Sequence, residues 1–138
     1  FNWPPAIMFM GDAGSVFFGL VTPMLVISTV LDHSRLFWIW IIICGYVLTD
    51  TTTTLILRLL YVRPFLDAHR QHAYQSLAYR SGDHRRVTVT VIAIQVLWLL
   101  PIAGLAYWFS AYGAIFSFLA LAPIVAFSAK NGVLHEIR

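Results

Sequence analysis

A polytopic, all-α membrane helix bundle is the fold class this sequence predicts, and three observations predict it. Of 138 residues, 59% are hydrophobic and 11% charged, more apolar than a soluble domain of this length. Four apolar runs, at about 14–31, 36–60, 87–109 and 112–129, each approach or exceed the roughly 20 residues an α-helix needs to cross a bilayer. Most of the Lys and Arg fall in or beside the segment 61–86, between the second and third runs. The reading is four transmembrane helices with a partly helical cytoplasmic loop. Repeats, low-complexity tracts and soluble linkers are absent, so residues 1–138 read as a single membrane unit.

The first span follows Met10-Gly11-Asp12-Ala13-Gly14-Ser15. A carboxylate between two glycines, where a membrane helix meets water, suits a site that brings a metal ion close to backbone and phosphate. Asp is also a favoured helix cap, and both readings of Asp12 stay open here. Pro23 is expected to kink this span and Pro101 the third, where neighbouring helices can satisfy the released carbonyls. Between the first two spans Asp32-His33-Ser34-Arg35 makes a short turn, and Ser110-Ala111 does so between the last two.

The second span carries Asp50, then Thr51 to Thr54, then Arg58. An intramembrane carboxylate is costly and marks a functional candidate. On a helix entering at Leu36, Asp50 lies about 21 Å along the axis of a core about 30 Å thick. It could line a cavity open to the cytoplasm, or make an interhelical contact that holds the bundle. Asp50, Thr54 and Arg58 share one face at spacings of four. Cys44, the single cysteine, lies in the same apolar run and reads as membrane packing.

Orientation follows from the nine basic residues. Arg58, Arg63, Arg70, Arg80, Arg85 and Arg86 flank or fill the 61–86 loop, Lys130 and Arg138 lie in the tail, and Arg35 stands on the other side. This bias places the loop, the C-terminus and Asp12 on the cytoplasmic side. In the loop, Pro64 suits a first helical turn, the stretch to Tyr79 is helix-compatible, and Gly82 is a plausible stop. His69 and His72 would then project from one helix face. Two His without a further ligand make a poor zinc set. A basic helix resting on anionic lipid accounts for the arginines but does not require the histidines.

Together these groups suit a metal-diphosphate beside a lipid phosphate. Arg grips phosphate oxygens bidentately, and Mg²⁺ held by carboxylate neutralises charge as a phosphoryl group transfers. Mg²⁺ needs more than one protein carboxylate or the substrate's own oxygens, so the site reads as incomplete within this chain.

Asn2-Trp3-Pro4-Pro5-Ala6, Met8-Phe9-Met10-Gly11-Asp12-Ala13-Gly14-Ser15, Asp50-Thr51-Thr52-Thr53-Thr54-Leu55 and Ala68-His69-Arg70-Gln71-His72-Ala73-Tyr74-Gln75 occur in that order, separated by membrane spans. In these the chain resembles the bacterial polyprenyl-phosphate N-acetylhexosamine-1-phosphate transferases of glycosyltransferase family 4, and specifically a C-terminal portion of one. The resemblance implies a reaction on the cytoplasmic face of the bacterial inner membrane. Sugar 1-phosphate moves from a UDP-N-acetylhexosamine to undecaprenyl phosphate, releasing UMP and starting a lipid-linked surface glycan such as O-antigen.

It further implies that Asp12 binds Mg²⁺, with Mn²⁺ as a substitute, and that His69, Arg70 and His72 belong to the His-containing loop near the nucleotide sugar. Asp50 would support the substrate cavity. The partners implied are the two substrates and the bilayer, not nucleic acid, and the resemblance permits a homodimer.

Two departures accompany the resemblance. Ile7 stands where relatives commonly carry Lys, and the family's N-terminal half, with its adjacent aspartates, is absent. The first residue is not Met and no signal-peptide pattern follows it, so the true start is expected upstream of Phe1. The expectation is that this chain alone lacks transferase activity. The competing class is a noncatalytic four-helix membrane module or transporter subunit using Asp50 for helix contact. An ion pathway is a thinner alternative, because Asp50 is the one acidic residue within a span.

Overall fold

The computed structural model describes residues 3, 8, 10–61 and 72–131, and these are helical with no strand among them. The chain is a multi-pass membrane protein. Three helices are long and apolar enough to cross a membrane, and a bent pair makes a fourth crossing if its two halves form one span.

Helix α1, Gly11–Asp32, starts on a glycine with φ 64°, a left-handed conformation that costs other residues strain. Pro23 lies inside α1 without dividing it. No residue of α1 is buried, and it packs mainly on α2, where Trp40 Nε1 donates to Thr29 Oγ1 at 2.8 Å. At the α1–α2 turn the Arg35 guanidinium lies 4.9 Å from the Tyr107 ring centre, a contact that joins the turn to the third span.

The second span departs from the sequence expectation of one continuous helix. It divides into α2, Leu36–Ile43, and α3, Gly45–Tyr61, bent by 68° at Cys44. There is no proline at the break, so the usual sequence signal for a kink is missing. Gly45 is buried, and a Cβ there would strike the Leu121 side chain. Glycine thus permits α3 to leave the junction close against the last helix.

After the segment 62–71, which lies outside the described residues with Pro64, His69 and Arg70, comes α4, Ala73–Ser81. Its stop at Gly82 is as expected, with φ 64° and the Gly82 N–H bonded to the Ala78 carbonyl at 3.1 Å. Asp83 then caps α5, His84–Ala93, accepting from the Arg85 and Arg86 amides at 2.9 and 3.2 Å.

The third span continues through a π-helical turn, Ile94–Leu99, into α6, Leu100–Trp108. The irregularity expected at Pro101 is taken up in this preceding turn. The Leu100 N–H reaches back five residues to the Gln95 carbonyl, and Pro101 falls at the start of α6. A short 3₁₀ turn, Ser110–Tyr112, leads into α7, Gly113–Asn131, which contains Pro123.

The core lies where α2, α3, α6 and α7 meet. Ile42, Tyr46, Leu99, Ala103, Ala106, Ala120 and Ile124 are buried together. The alanines, with Gly45 and Gly113, let these helices approach closely. That matters in lipid, where helix association depends on packing rather than on escape from water.

Candidate functional site

Every fourth residue along α3 from Tyr46, namely Tyr46, Asp50, Thr54 and Arg58, is buried. This is the face anticipated for Asp50, Thr54 and Arg58, extended one turn back by Tyr46. The bend changes the setting of Asp50. The carboxylate now lies near the start of a separate helix instead of deep along a continuous one, so the 21 Å depth reckoned from Leu36 does not apply.

Asp50 is only 3% exposed, and both of its oxygens are engaged. Oδ1 accepts the Ala73 N–H at 3.1 Å, and Oδ2 lies 3.2 Å from His72 Nδ1. Ala73 is the first residue of α4, whose opening amides have no partner within their own helix. One carboxylate from α3 therefore serves as a distant cap for α4, complementing its dipole as well as its amide. Of the two readings of Asp50, the contact between elements is realised here, and it is made to the motif that carries the histidines.

His72 corrects a second expectation. It is the extended residue preceding α4, with ψ 143°, so it does not project from a helix face, and His69 lies outside the described residues. The ring instead stacks on Tyr74, with centroids 5.9 Å apart and planes at 26°. The Asp50 carboxylate faces the Nδ1 edge of the ring. His72 is thus held from two sides, by Asp50 and by Tyr74.

Asp12 lies exposed in the first turn of α1. The cap reading finds no hydrogen bond: the cap position is Met10, no side chain caps the helix, and Ser15 Oγ donates to the Asp12 backbone carbonyl at 3.1 Å. The helix dipole still favours a carboxylate there. Among the described residues no group of three or more His, Cys, Asp or Glu could hold a metal ion. Asp12 alone is compatible with Mg²⁺, which is often held by one or two carboxylates together with substrate phosphates and water. Among the described residues no hydrogen bond or ion pair links Asp12 to the Asp50–His72 pair.

Two participants escaped the sequence reading. Tyr46 shares the Asp50 face, a relation visible as a spacing of four. Gln95 lies in the π turn and donates its side-chain amide to the Ile43 carbonyl at 2.8 Å, at the break itself. A lone amide in an apolar run was the available signal.

A family model described as glycosyl transferase family 4 matches residues 1–30, the stretch that contains the Met10–Ser15 motif. A probable undecaprenyl-phosphate N-acetylglucosaminyl 1-phosphate transferase of Bacillus subtilis (strain 168) is 28% identical over 141 residues, covering 99% of this chain and 38% of that protein. The chain therefore spans well under half the length of the curated relative it matches. No solved structure matches it. The family recognised from the motifs is the one that these comparisons return.

Proposed function

We propose that this relative of glycosyl transferase family 4 forms part of a polyprenyl-phosphate sugar-1-phosphate transferase, with a UDP-N-acetylhexosamine as donor and undecaprenyl phosphate as acceptor. The observation that carries the reading is the Asp50 contact. It ties the His-containing motif to the buried polar face of α3, joining segments 23 residues apart. The family match over the Asp12 motif and the relative's printed name supply the chemistry.

On this reading the site faces the cytoplasm at a bacterial inner membrane, an orientation that the distribution of arginines supports. The product is the lipid-linked sugar that starts a surface glycan such as O-antigen.

An oxygen of the lipid phosphate attacks the sugar-bearing phosphorus, a new P–O bond forms, and the bond to UMP breaks so that UMP leaves with the electron pair. A phosphate monoester has its second pKa near about 6, so at neutral pH the acceptor is already largely ionised and needs little help from a base. The protein's task is then placement and charge neutralisation. Asp12 would supply one ligand to Mg²⁺, or Mn²⁺ in its place, and the ion when bound offsets charge on the diphosphate. Arg70 suits bidentate contact with phosphate oxygens. His69 and His72 belong beside the nucleotide sugar, with His72 held in position by Asp50.

The test is metal-dependent UMP release from UDP-N-acetylhexosamines by the whole natural protein in membranes. Asp12→Asn should abolish release while leaving the folded protein intact, since no side chain among the described residues depends on that carboxylate. Full activity in Asp12→Asn, or no release with any sugar from folded protein, would refute the proposal. The second outcome would favour a noncatalytic membrane module in which the Asp50 contact is purely structural. The chain by itself is expected to show no turnover.

A further inference from the structure

The bend in the second span creates a problem that its own sequence does not solve. In a continuous helix the Ile43 carbonyl would accept from the Val47 amide. Here the regular ladder is interrupted at Cys44, which lies outside both helices: its N–H donates to the Trp40 carbonyl at 2.9 Å, and its carbonyl accepts from the Leu48 N–H at 3.1 Å. The Ile43 carbonyl is the last of α2, one of the end carbonyls that a helix does not satisfy in its regular ladder, and inside a membrane-spanning pair a carbonyl without a donor is costly. The Gln95 side chain fills that place at 2.8 Å, reaching from the π turn of the third span.

The location of Gln95 is matched to this task. A π turn widens the helix and re-aims its side chains, and such turns concentrate at functional positions. This one runs from Ile94 to Leu99, directly before Pro101, and three residues after Gln95 it also directs Trp98 Nε1 to the Ala120 carbonyl of α7 at 3.0 Å. Two donors from one irregular turn therefore fix two neighbouring helices.

We propose that Gln95 is a positioning residue: by holding the Ile43 carbonyl it sets the direction in which α3 leaves the bend, and so the place of Asp50 against His72 and Ala73. Asp50 lies five residues past Gly45, about 7.5 Å along α3 at 1.5 Å per residue. A change of bend angle moves its carboxylate relative to α4 with little slack in between. The consequence for turnover rests on the transferase reading given above, whereas the consequence for the Asp50–Ala73 bond does not.

The experiment uses the whole natural protein in membranes or detergent, with Gln95→Met, which preserves volume and removes the donor, and Gln95→His, which restores a donor at similar reach. Hydrogen exchange at the Ala73 amide and UMP-release kinetics are read on both. Gln95→Met should speed Ala73 exchange by roughly tenfold, the scale of leaving a buried carbonyl without its donor. It should lower kcat by a similar factor with the KM for the nucleotide sugar little changed, and Gln95→His should recover both.

Ala73 exchange in Gln95→Met within twofold of the parent would overturn the inference. If Gln95→Met does not fold, Gln95→His decides alone: parental Ala73 protection supports the role, and a variant as disrupted as Gln95→Met defeats it. If the parent protein shows no transferase activity, the proposed function fails, and the exchange measurement still decides what Gln95 does.

Discussion

Replacing Asp50 by Ala removes both contacts that fix the start of α4, and the size of the effect can be worked from them. The carboxylate is 3% exposed, so water does not substitute for it when it is removed. The Ala73 amide loses a charged acceptor at 3.1 Å, a contribution of about 1.5–3 kcal/mol for a hydrogen bond to an ionised group. The His72 contact at 3.2 Å adds to this, while relief from burying a carboxylate subtracts. A net loss of about 2 kcal/mol is the expectation, which multiplies the population of locally opened α4 by roughly 30.

Because α4 is a short helix at the edge of the bundle, this opening should precede global unfolding. Chymotryptic cleavage at Tyr79, which is 89% exposed at the far end of α4, reports it when opening and closing are fast relative to cutting. Asp50→Ala should be cut roughly 30 times faster than the parent at low protease. Asp50→Asn keeps one oxygen able to accept from Ala73 and should fall between the two. A rise of less than about threefold in Asp50→Ala would show that α4 does not depend on this carboxylate, and the reasoning would fail.

Two further substitutions probe the geometry around the site. Gly82→Ala places a side chain at φ 64°, so despite open space around the Cβ it should cost about 1 kcal/mol in thermal unfolding, and no change in midpoint would contradict the left-handed turn after α4. Gly113→Ala brings a methyl group into the Trp38 side chain, at its backbone-proximal atoms as well as its ring, and should cost about 1–3 kcal/mol. A neutral result there in a detergent melt would mean that α2 and α7 do not meet as closely as described.

The membrane class and approximate spans were legible because an apolar run of bilayer length has few other uses. The α4 stop was legible at Gly82, and the α3 polar face at Asp50, Thr54 and Arg58, because those depend on local rules of turn and period. The bend at Cys44 was not. Its cause is distributed: Gly45 permits the close approach, Leu121 and Leu99 occupy the space beside it, and Gln95 satisfies the carbonyl from 52 residues away. The same holds for His72, whose helical assignment followed from reading a helix-compatible stretch between Pro64 and Gly82. A tertiary acceptor, Asp50, instead marks the first turn at Ala73 and leaves His72 extended. Pro23 and Pro101 attracted attention as kink sites, yet neither sits at the sharp bend.

The irregular places in this bundle satisfy one another. The break after α2 places the Ile43 carbonyl at a helix end, the π turn in the third span offers the Gln95 amide to it, and the Trp98 indole of that turn reaches the Ala120 carbonyl of α7. A deviation that would be costly alone in lipid becomes tolerable when each exposed carbonyl has a donor fixed on a neighbour. The bend in the second span is therefore a joint property of α2, α3 and the third span. Changing Gln95 should act on Asp50 without any direct contact between the two residues. Helix α1 makes the opposite case: it is uninterrupted, has no buried residue, and is joined to α2 through Thr29 and Trp40 near its far end. Asp12 is accordingly insulated from changes at the bend, and Gln95→Met should weaken the placement of His72 while leaving the surroundings of Asp12 as they are.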